Sequence, residues 1–244
     1  PYPALVLDRA RHVGDPIVFI IGETEMQARD AAELVIIDYE PLPAITDTEK
    51  ALLDGMPLVW PDAPNNIAFV HLLGDKTATD TAFDNAHIVV GEKFVINRVA
   101  PAPIEPRAAI GHYDSAEDRY TLYTTLQHAN PYRMNIAEKV IGVAESKVRV
   151  ISGDVGGSYG MKSSVYNESV LVLWASMVTR RPVKWRSERT EAFQSDAQGR
   201  DNVTQGELAL DENGNFLGMR VKIIGALGAY VTQAAGGPLT VNLG

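Results

Sequence analysis

The sequence has no cysteine. Disulfides are therefore excluded, as are thiolate metal ligands and any iron–sulfur cluster held by this chain's own sulfurs. A cysteine-free chain suits the cytoplasm, where disulfides are rare, and that compartment is expected. No stretch approaches the roughly 18 uncharged apolar residues of a membrane-spanning helix, and the longest largely apolar one, Val170 to Val178, is about half of that. Lysine and arginine do not cluster, and 22 of them face 31 acidic residues, for a net charge of -9. Such a chain, with a pI near 5.0, lacks the basic patch that a nucleic-acid partner needs. There is no internal repeat and no low-complexity tract. The first residues, "PYPALVLDRA", carry neither an initiator Met nor a basic-then-apolar leader, and the last, "GGPLTVNLG", end on an apolar-glycine run. Both ends are expected to be cuts.

What remains is an ordinary globular composition. The 244 residues are 45% hydrophobic and 22% charged, enough for one large domain or two small ones. The turn Gly14-Asp15-Pro16 precedes an expected strand, Ile17 to Ile21. Thr24 and Gln27 have capping-box spacing, and Ala28, Ala31, Ala32 and Val35 share one helical face. "LVIIDYEPLPAI" (34–45) reads as a second strand, stopped by Pro41 and Pro43. "WPDAPNN" (60–66) is the strongest boundary candidate. "NIAFVHLLGD", "AHIVVGEKFVINRVA", "RYTLYTTLQ", "KVRVIS" and "RPVKWRSE" read as strands, and "NPYRMNIAEKVIGV" as a helix with Met134, Ala137 and Ile141 on one face. "SVYNESVLVLWASMVT" is a helix apolar nearly all round, expected to be buried on several sides. Residues 204–230 read as a hairpin turning at Asn213-Gly214. The charge run "RSERTE" (186–191) reads as a solvated strand end.

The chemistry concentrates at "GDVGGSYGMKSS", Gly153 to Ser164, between a strand and a helix. Glycine lets a ligand approach the main chain. A P-loop would need Gly-Lys-[Ser/Thr] in succession, but Met161 separates Gly160 from Lys162. The dinucleotide fingerprint would need a glycine two residues before Gly157, where Val155 stands. Two readings survive: a tight turn without ligand, or a loop whose backbone meets a cofactor other than these.

"DVGGSYGMK", with "KVRVIS" before it and "RPVKWRSERTEAFQSDAQGRD" after it, resembles the molybdenum-cofactor subunit of the molybdenum hydroxylases. That family includes xanthine dehydrogenase, aldehyde oxidase and the large subunit of aerobic carbon monoxide dehydrogenase. "RHVGDPIVFIIGETEMQARDAAELVIIDYEPLPAITD" is similar to the end of its small α/β hammerhead domain. "APIEPRAAIGHYD" and "LYTTLQHANPYRM" follow in the family's order. The resemblance covers essentially the whole chain. It implies an α+β fold: the C-terminal part of a hammerhead domain over 1–62, then the N-terminal part of a mixed α+β molybdenum-cofactor-binding domain over 63–244.

It also implies roles. Gln127 matches the glutamine whose amide points at an oxygen of the molybdenum centre; the alternative is a surface or capping Gln. Gly156, Gly157, Ser158, Tyr159 and Gly160 match the loop whose backbone approaches metal and pterin, so Gln127 and Tyr159 are expected beside the molybdenum. Tyr159, where the family usually has Phe, could instead be a core aromatic. Lys162 is read as a solvated or phosphate-side charge. Ser163 stands where xanthine oxidisers carry glutamate, which counts against purine oxidation. The "GGSYGMK" spelling is closer to the carbon-monoxide-dehydrogenase-like branch. Glu105 and Arg107 read as a buried polar pair or as channel lining, with the structural reading favoured. His12, His71, His87, His112 and His128 are scattered without ligand spacing.

The implied reaction is oxidative hydroxylation of an aldehyde, N-heterocycle or related small molecule, with water as the oxygen source. No catalytic residue is expected in this chain, because the family's general-base glutamate is expected beyond Gly244. The implied cofactor is molybdopterin, in its cytosine dinucleotide form, with molybdenum. Iron–sulfur clusters and FAD are expected on a small and a medium partner subunit. The rest of the large subunit, or a second chain, is a further expected partner. The alternatives are a non-catalytic fragment or one half of a split large subunit. Apolar faces of 164–178 and 219–231 are expected to lack partners and to favour partial aggregation of the isolated chain.

Overall fold

The structure is a computed structural model that describes residues 2–231. The expectation for the C-terminal run "GGPLTVNLG" lies outside the described residues. In chain order the elements are α1 (Glu25–Glu33), α2 (Lys76–Asp84), β1 (Ile88–Val99), β2 (Ala108–Asp114), β3 (Arg119–Thr124), α3 (Ala129–Met134), β4 (Val148–Ile151), α4 (Asn167–Thr179), β5 (Val183–Arg186), α5 (Arg189–Ser195), β6 (Gly199–Leu210) and β7 (Phe216–Gly225). The architecture is mixed α+β. Within 2–231 the chain forms two compact units: 2–40 with 100–198, and 41–99 with 199–231.

The first unit holds a four-stranded sheet in the order β4-β3-β2-β5. β2 is antiparallel to β3 and β5, whereas β3 and β4 run parallel. A parallel pair needs a crossover, and α3 with its π-helical extension Asn135–Ile141 supplies it. The core lies where α3 and α4 cover this sheet. Leu122, Ile136 and Val172 are fully buried, with Leu173, Ala109, Tyr132 and Val148 around them. Each such large aliphatic side chain contributes about 1.5–3 kcal/mol through burial. The apolar α4 buries only one face, through Ser169, Val172, Leu173, Ala175 and Ser176. Trp174 and Val178 on its other side are 51% and 57% exposed, so the expected burial on several sides does not occur. The buried face of the crossover is Tyr132, Asn135, Ile136 and Ala137 rather than Met134, Ala137 and Ile141. A π-turn spreads residues over a wider arc than 3.6 per turn, which rotates the face.

α1 begins as its sequence dictates. Thr24 Oγ1 accepts from the Gln27 amide at 3.2 Å and Gln27 Oε1 from the Thr24 amide at 3.0 Å. The flanking segments 17–21 and 34–45 are not strands. Both contain β-branched residues that favour extended backbone, but a strand also needs a paired neighbour, and among the described residues none pairs with them. The charge run 186–191 starts at the end of strand β5 and is exposed at Arg186, Glu188, Thr190 and Glu191, but it continues into a helix. β5 stops at Arg186 and α5 starts at Arg189, whose guanidinium donates to the Pro103 and Ile104 carbonyls at 2.8 Å each.

The second unit is built on the antiparallel sheet β1-β6-β7. The β6–β7 turn falls at Asn213-Gly214 as expected. It is tied by Asp211, whose carboxylate accepts from the Asn215 side-chain amide and from the Asn215 and Asn213 backbone amides at 2.8 Å each, bonds that hold its pKa below the usual value. α2 packs on β7, with Arg220 4.2 Å from the Phe83 ring centroid. The segment 67–73, read as a strand, is unpaired and leads into α2, which is capped by Asp75.

Candidate functional site

The loop after β4 folds back on the segment before β2. The Glu105 amide donates to the Gly156 carbonyl at 3.1 Å, and the Gly156 amide donates to Glu105 Oε2 at 2.8 Å. The approach is so close that a Cβ at Gly156 would lie 2.6 Å from Glu105 Cβ. That contact explains the glycine. The chain then turns through left-handed backbone at Gly157, Tyr159 and Gly160, with φ of 100°, 56° and 91°. Such a conformation costs about 1–2 kcal/mol for a non-glycine residue. Tyr159 adopts it with its ring 75% exposed, which corrects the alternative of a core aromatic.

Beneath the loop lies Lys162. The sequence suggests a solvated or phosphate-side charge, yet Lys162 is 1% exposed. Its Nζ donates to the Glu105 carbonyl and carboxylate at 2.9 Å each. An ammonium is buried only where a charge and hydrogen bonds replace its hydration, and Glu105 supplies both. Lys162 is thus a brace between loop and segment.

Gln127, just past β3, is bound to the same segment. Its backbone amide donates to the Lys162 carbonyl at 3.1 Å. Its side-chain Oε1 accepts from Ser158 Oγ at 2.6 Å and from Ser163 Oγ at 2.8 Å. The structure therefore brings together Gln127, the 156–160 loop and Lys162. Sequence reasoning missed the serines as partners of Gln127 and Glu105 as the partner of Lys162. The only sequence signal was hydroxyls and a lysine clustered in one short glycine loop.

A second buried network lies behind the first. Arg107 is 4% exposed. Its guanidinium donates to Asp196 at 2.8 Å, to Ser195 Oγ at 2.7 Å and to Glu168, and it stacks 3.8 Å from the Tyr166 ring centroid. Glu105 and Arg107 do not pair with one another; each has its own partner. Burial pushes the Glu168 carboxyl above its ordinary range against the pull of Arg107. Burial likewise raises the Tyr132 phenol to about 12. Both tyrosine hydroxyls are used: Tyr132 with Ser169 Oγ at 2.8 Å, and Tyr166 donating to the Met161 carbonyl at 2.9 Å. This network is structural. It holds α4, α5 and β2 under the loop.

Among the described residues, no acceptor meets the amides of Gly157, Ser158, Tyr159 and Gly160, nor Gln127 Nε2. Consecutive free N–H groups in left-handed backbone form a concave donor surface suited to oxygen-rich groups. A Cβ at Gly160 would meet nothing within 4 Å, so the loop leaves room there. Among the same residues, no three His, Asp or Glu side chains gather as a metal site. The arrangement can donate hydrogen bonds to a bound group but offers no metal ligands.

A family model described as "Molybdopterin cofactor-binding domain" matches residues 59–242. The chain belongs to the molybdopterin cofactor-binding domain family. It is 38% identical over 234 residues to the 6-hydroxypseudooxynicotine dehydrogenase complex subunit gamma of Paenarthrobacter nicotinovorans, covering 96% of this chain and 29% of that protein. It is 33% identical over 226 residues to the carbon monoxide dehydrogenase large chain of Hydrogenophaga pseudoflava, covering 88% and 28%. The crystal structure of quinoline 2-oxidoreductase from Pseudomonas putida 86 superposes with a TM-score of 0.78 at 28% identity, over 91% of this chain and 28% of that one. The chain thus spans under a third of the length of the curated relatives named here. The free donors of the loop and of Gln127 fit a molybdopterin group, whose pterin and molybdenum ligands are rich in acceptors. No helix among the described residues of this cofactor-binding domain is long and apolar enough to cross a membrane.

Proposed function

We propose that the chain is part of the molybdopterin-binding large subunit of a molybdenum hydroxylase. Its substrate is an aldehyde, an N-heterocycle or a related small molecule, and water supplies the oxygen. The observation that carries this reading is the free amide donor of Gln127 beside a loop of free backbone N–H groups, inside a chain of the cofactor-binding family. Residues 1–62 are assigned as the end of an α/β hammerhead domain and 63–244 as the start of the cofactor-binding domain. The cofactor is the cytosine dinucleotide form. Iron–sulfur clusters and FAD on partner subunits would take up the electrons that the cofactor supplies, and the compartment is the cytoplasm. The general-base glutamate belongs to sequence outside this chain.

When bound, the cofactor supplies the two-electron oxidation and the water-derived oxygen. This chain's own residues bind and orient. The amides of 157–160 hold acceptors of the cofactor, with the exposed Tyr159 beside it. Gln127 Nε2 would donate to an oxygen of the bound centre and tune it electrostatically, without carrying a proton in the reaction. The brace of Lys162 and Glu105 keeps the Gly156 end of the loop in place. Ser163 offers a hydroxyl already committed to Gln127, not the carboxylate of the purine oxidisers, so purines are disfavoured.

The test is purification of the protein from its native source under mild conditions, with intact mass, molybdenum and pterin nucleotide measured on one peak. About one molybdenum per chain, with cytidine phosphate released on hydrolysis, is expected. A chain ending at Gly244 with molybdenum and a second chain would mean a split subunit. Absence of molybdenum from every peak holding the chain overturns the proposal.

A further inference from the structure

We infer that Ser158 and Ser163 are positioning residues: their hydroxyls clamp the Gln127 carboxamide so that its Nε2 alone faces the site. An isolated glutamine amide can turn over at little cost, which would exchange donor for acceptor. Here the network removes that freedom. Ser158 Oγ accepts from the Lys162 amide at 3.1 Å, so its own proton points to Gln127 Oε1 at 2.6 Å. Ser163 Oγ donates to the same oxygen from the other side of Lys162, at 2.8 Å. The Gln127 backbone is fixed by the Lys162 carbonyl at 3.1 Å. A flipped amide would have to donate to Ser158 Oγ, which already accepts from the Lys162 amide, and would take from both serine protons the Gln127 oxygen that accepts them. The carbonyl is consumed and both Nε2 protons are free.

This inference rests on the reading of Gln127 as a donor to the bound cofactor. It adds what makes that donor single-valued. It also gives Ser163 a task that a glutamate there could not perform, since an ionised carboxylate has no proton to donate to the Gln127 carbonyl.

The experiment uses the holoenzyme, with Ser158→Ala/Ser163→Ala, Ser163→Thr and Gln127→Ala. High-resolution crystal structures read the Gln127 side chain, and kcat and KM are measured with whichever of benzaldehyde or quinoline the holoenzyme oxidises. The double alanine variant should show Gln127 in more than one orientation. Its kcat should fall about tenfold with KM within about twofold, the scale set by losing two modest hydrogen bonds. Ser163→Thr keeps a hydroxyl and should keep the single orientation. In a Gln127→Ala background the serine changes should add nothing, whereas a merely structural role would add its full cost. A Gln127 side chain that stays singly ordered without both hydroxyls overturns the clamp, whatever the activity. If the side chain is freed but Gln127→Ala leaves kcat unchanged, the clamp stands and the reading of Gln127 as a donor to the cofactor fails.

Discussion

Replacing Arg107 by methionine tests whether the network behind the loop is held by one cation. Arg107 sits between two carboxylates, Glu168 and Asp196, and is 4% exposed. Methionine fills most of the volume but leaves both acids without a counter-charge, and it also empties the hydrogen bond to Ser195 and the stack on Tyr166. Breaking a buried pair by removing one member costs about 3–5 kcal/mol, far more than the pair contributes net. Equilibrium denaturation followed by tryptophan fluorescence is a suitable assay, because Trp185 lies 5.5 Å from the guanidinium.

The pH dependence carries the sharper statement. Burial already raises the Glu168 carboxyl above its ordinary 4.5 in the native protein. A raised native pKa means that the native state holds the proton more tightly than the unfolded chain. Its stabilising effect is complete below 4.5 and is lost as pH rises through the native value. Without Arg107 that native value climbs further, so the window widens and the total loss grows. The destabilisation should be full above the raised native value and shrink as pH falls through it toward 4.5. Glu168→Gln in the same background should recover part of it. A loss under about 1 kcal/mol, or one that does not change with pH, would refute the assignment of Arg107 as the hub.

Gly156→Val should displace Glu105, since even a Cβ would come within 2.6 Å of it; molybdenum content should drop while unit stability falls by about 1–3 kcal/mol, the usual scale of overpacking. Tyr159→Phe should leave stability within about 0.5 kcal/mol and molybdenum content unchanged, because the ring is 75% exposed; loss of the metal would give the phenol a role. Lys162→Met should cost only about 1–2 kcal/mol, since its partner Glu105 is 35% exposed and can hydrate. Hydrogen exchange at the Gly156 amide should nevertheless accelerate strongly, and unchanged exchange would remove Lys162 as the brace.

The fold was legible where local signals suffice. The capping box at Thr24, the turn at Asn213-Gly214 and the alternation of β1, β3 and β4 are written in neighbouring residues, and they appear in place. β2 and α2 went unread. β2 is interrupted by Gly111 and follows a proline-rich stretch, and α2 is polar enough to look like a loop. Segments 17–21 and 34–45 failed in the other direction. Their β-branched residues predict strands, but pairing is a property of the neighbour and not of the segment.

The site divides along the same line. The glycines of 156–160 stood out by their spacing, and Gln127 only through the resemblance to the molybdenum hydroxylases. The charges did not stand out, since a lysine or arginine reads as solvated until the acid that neutralises it is placed in space. Glu105 is 57 residues from Lys162 and Asp196 is 89 from Arg107, separations at which no periodicity operates. These buried pairs add little net stability compared with apolar residues of equal volume. What they add is direction. The Arg107 guanidinium is aimed at three oxygens and the Lys162 ammonium at two, so together they fix where the loop and α4 can sit. An apolar core can bury as much area while sliding by fractions of an ångström. If Gln127 donates to one oxygen of a bound cofactor, as proposed, it cannot tolerate that slide, and the polar networks lie under the loop that would meet the same group.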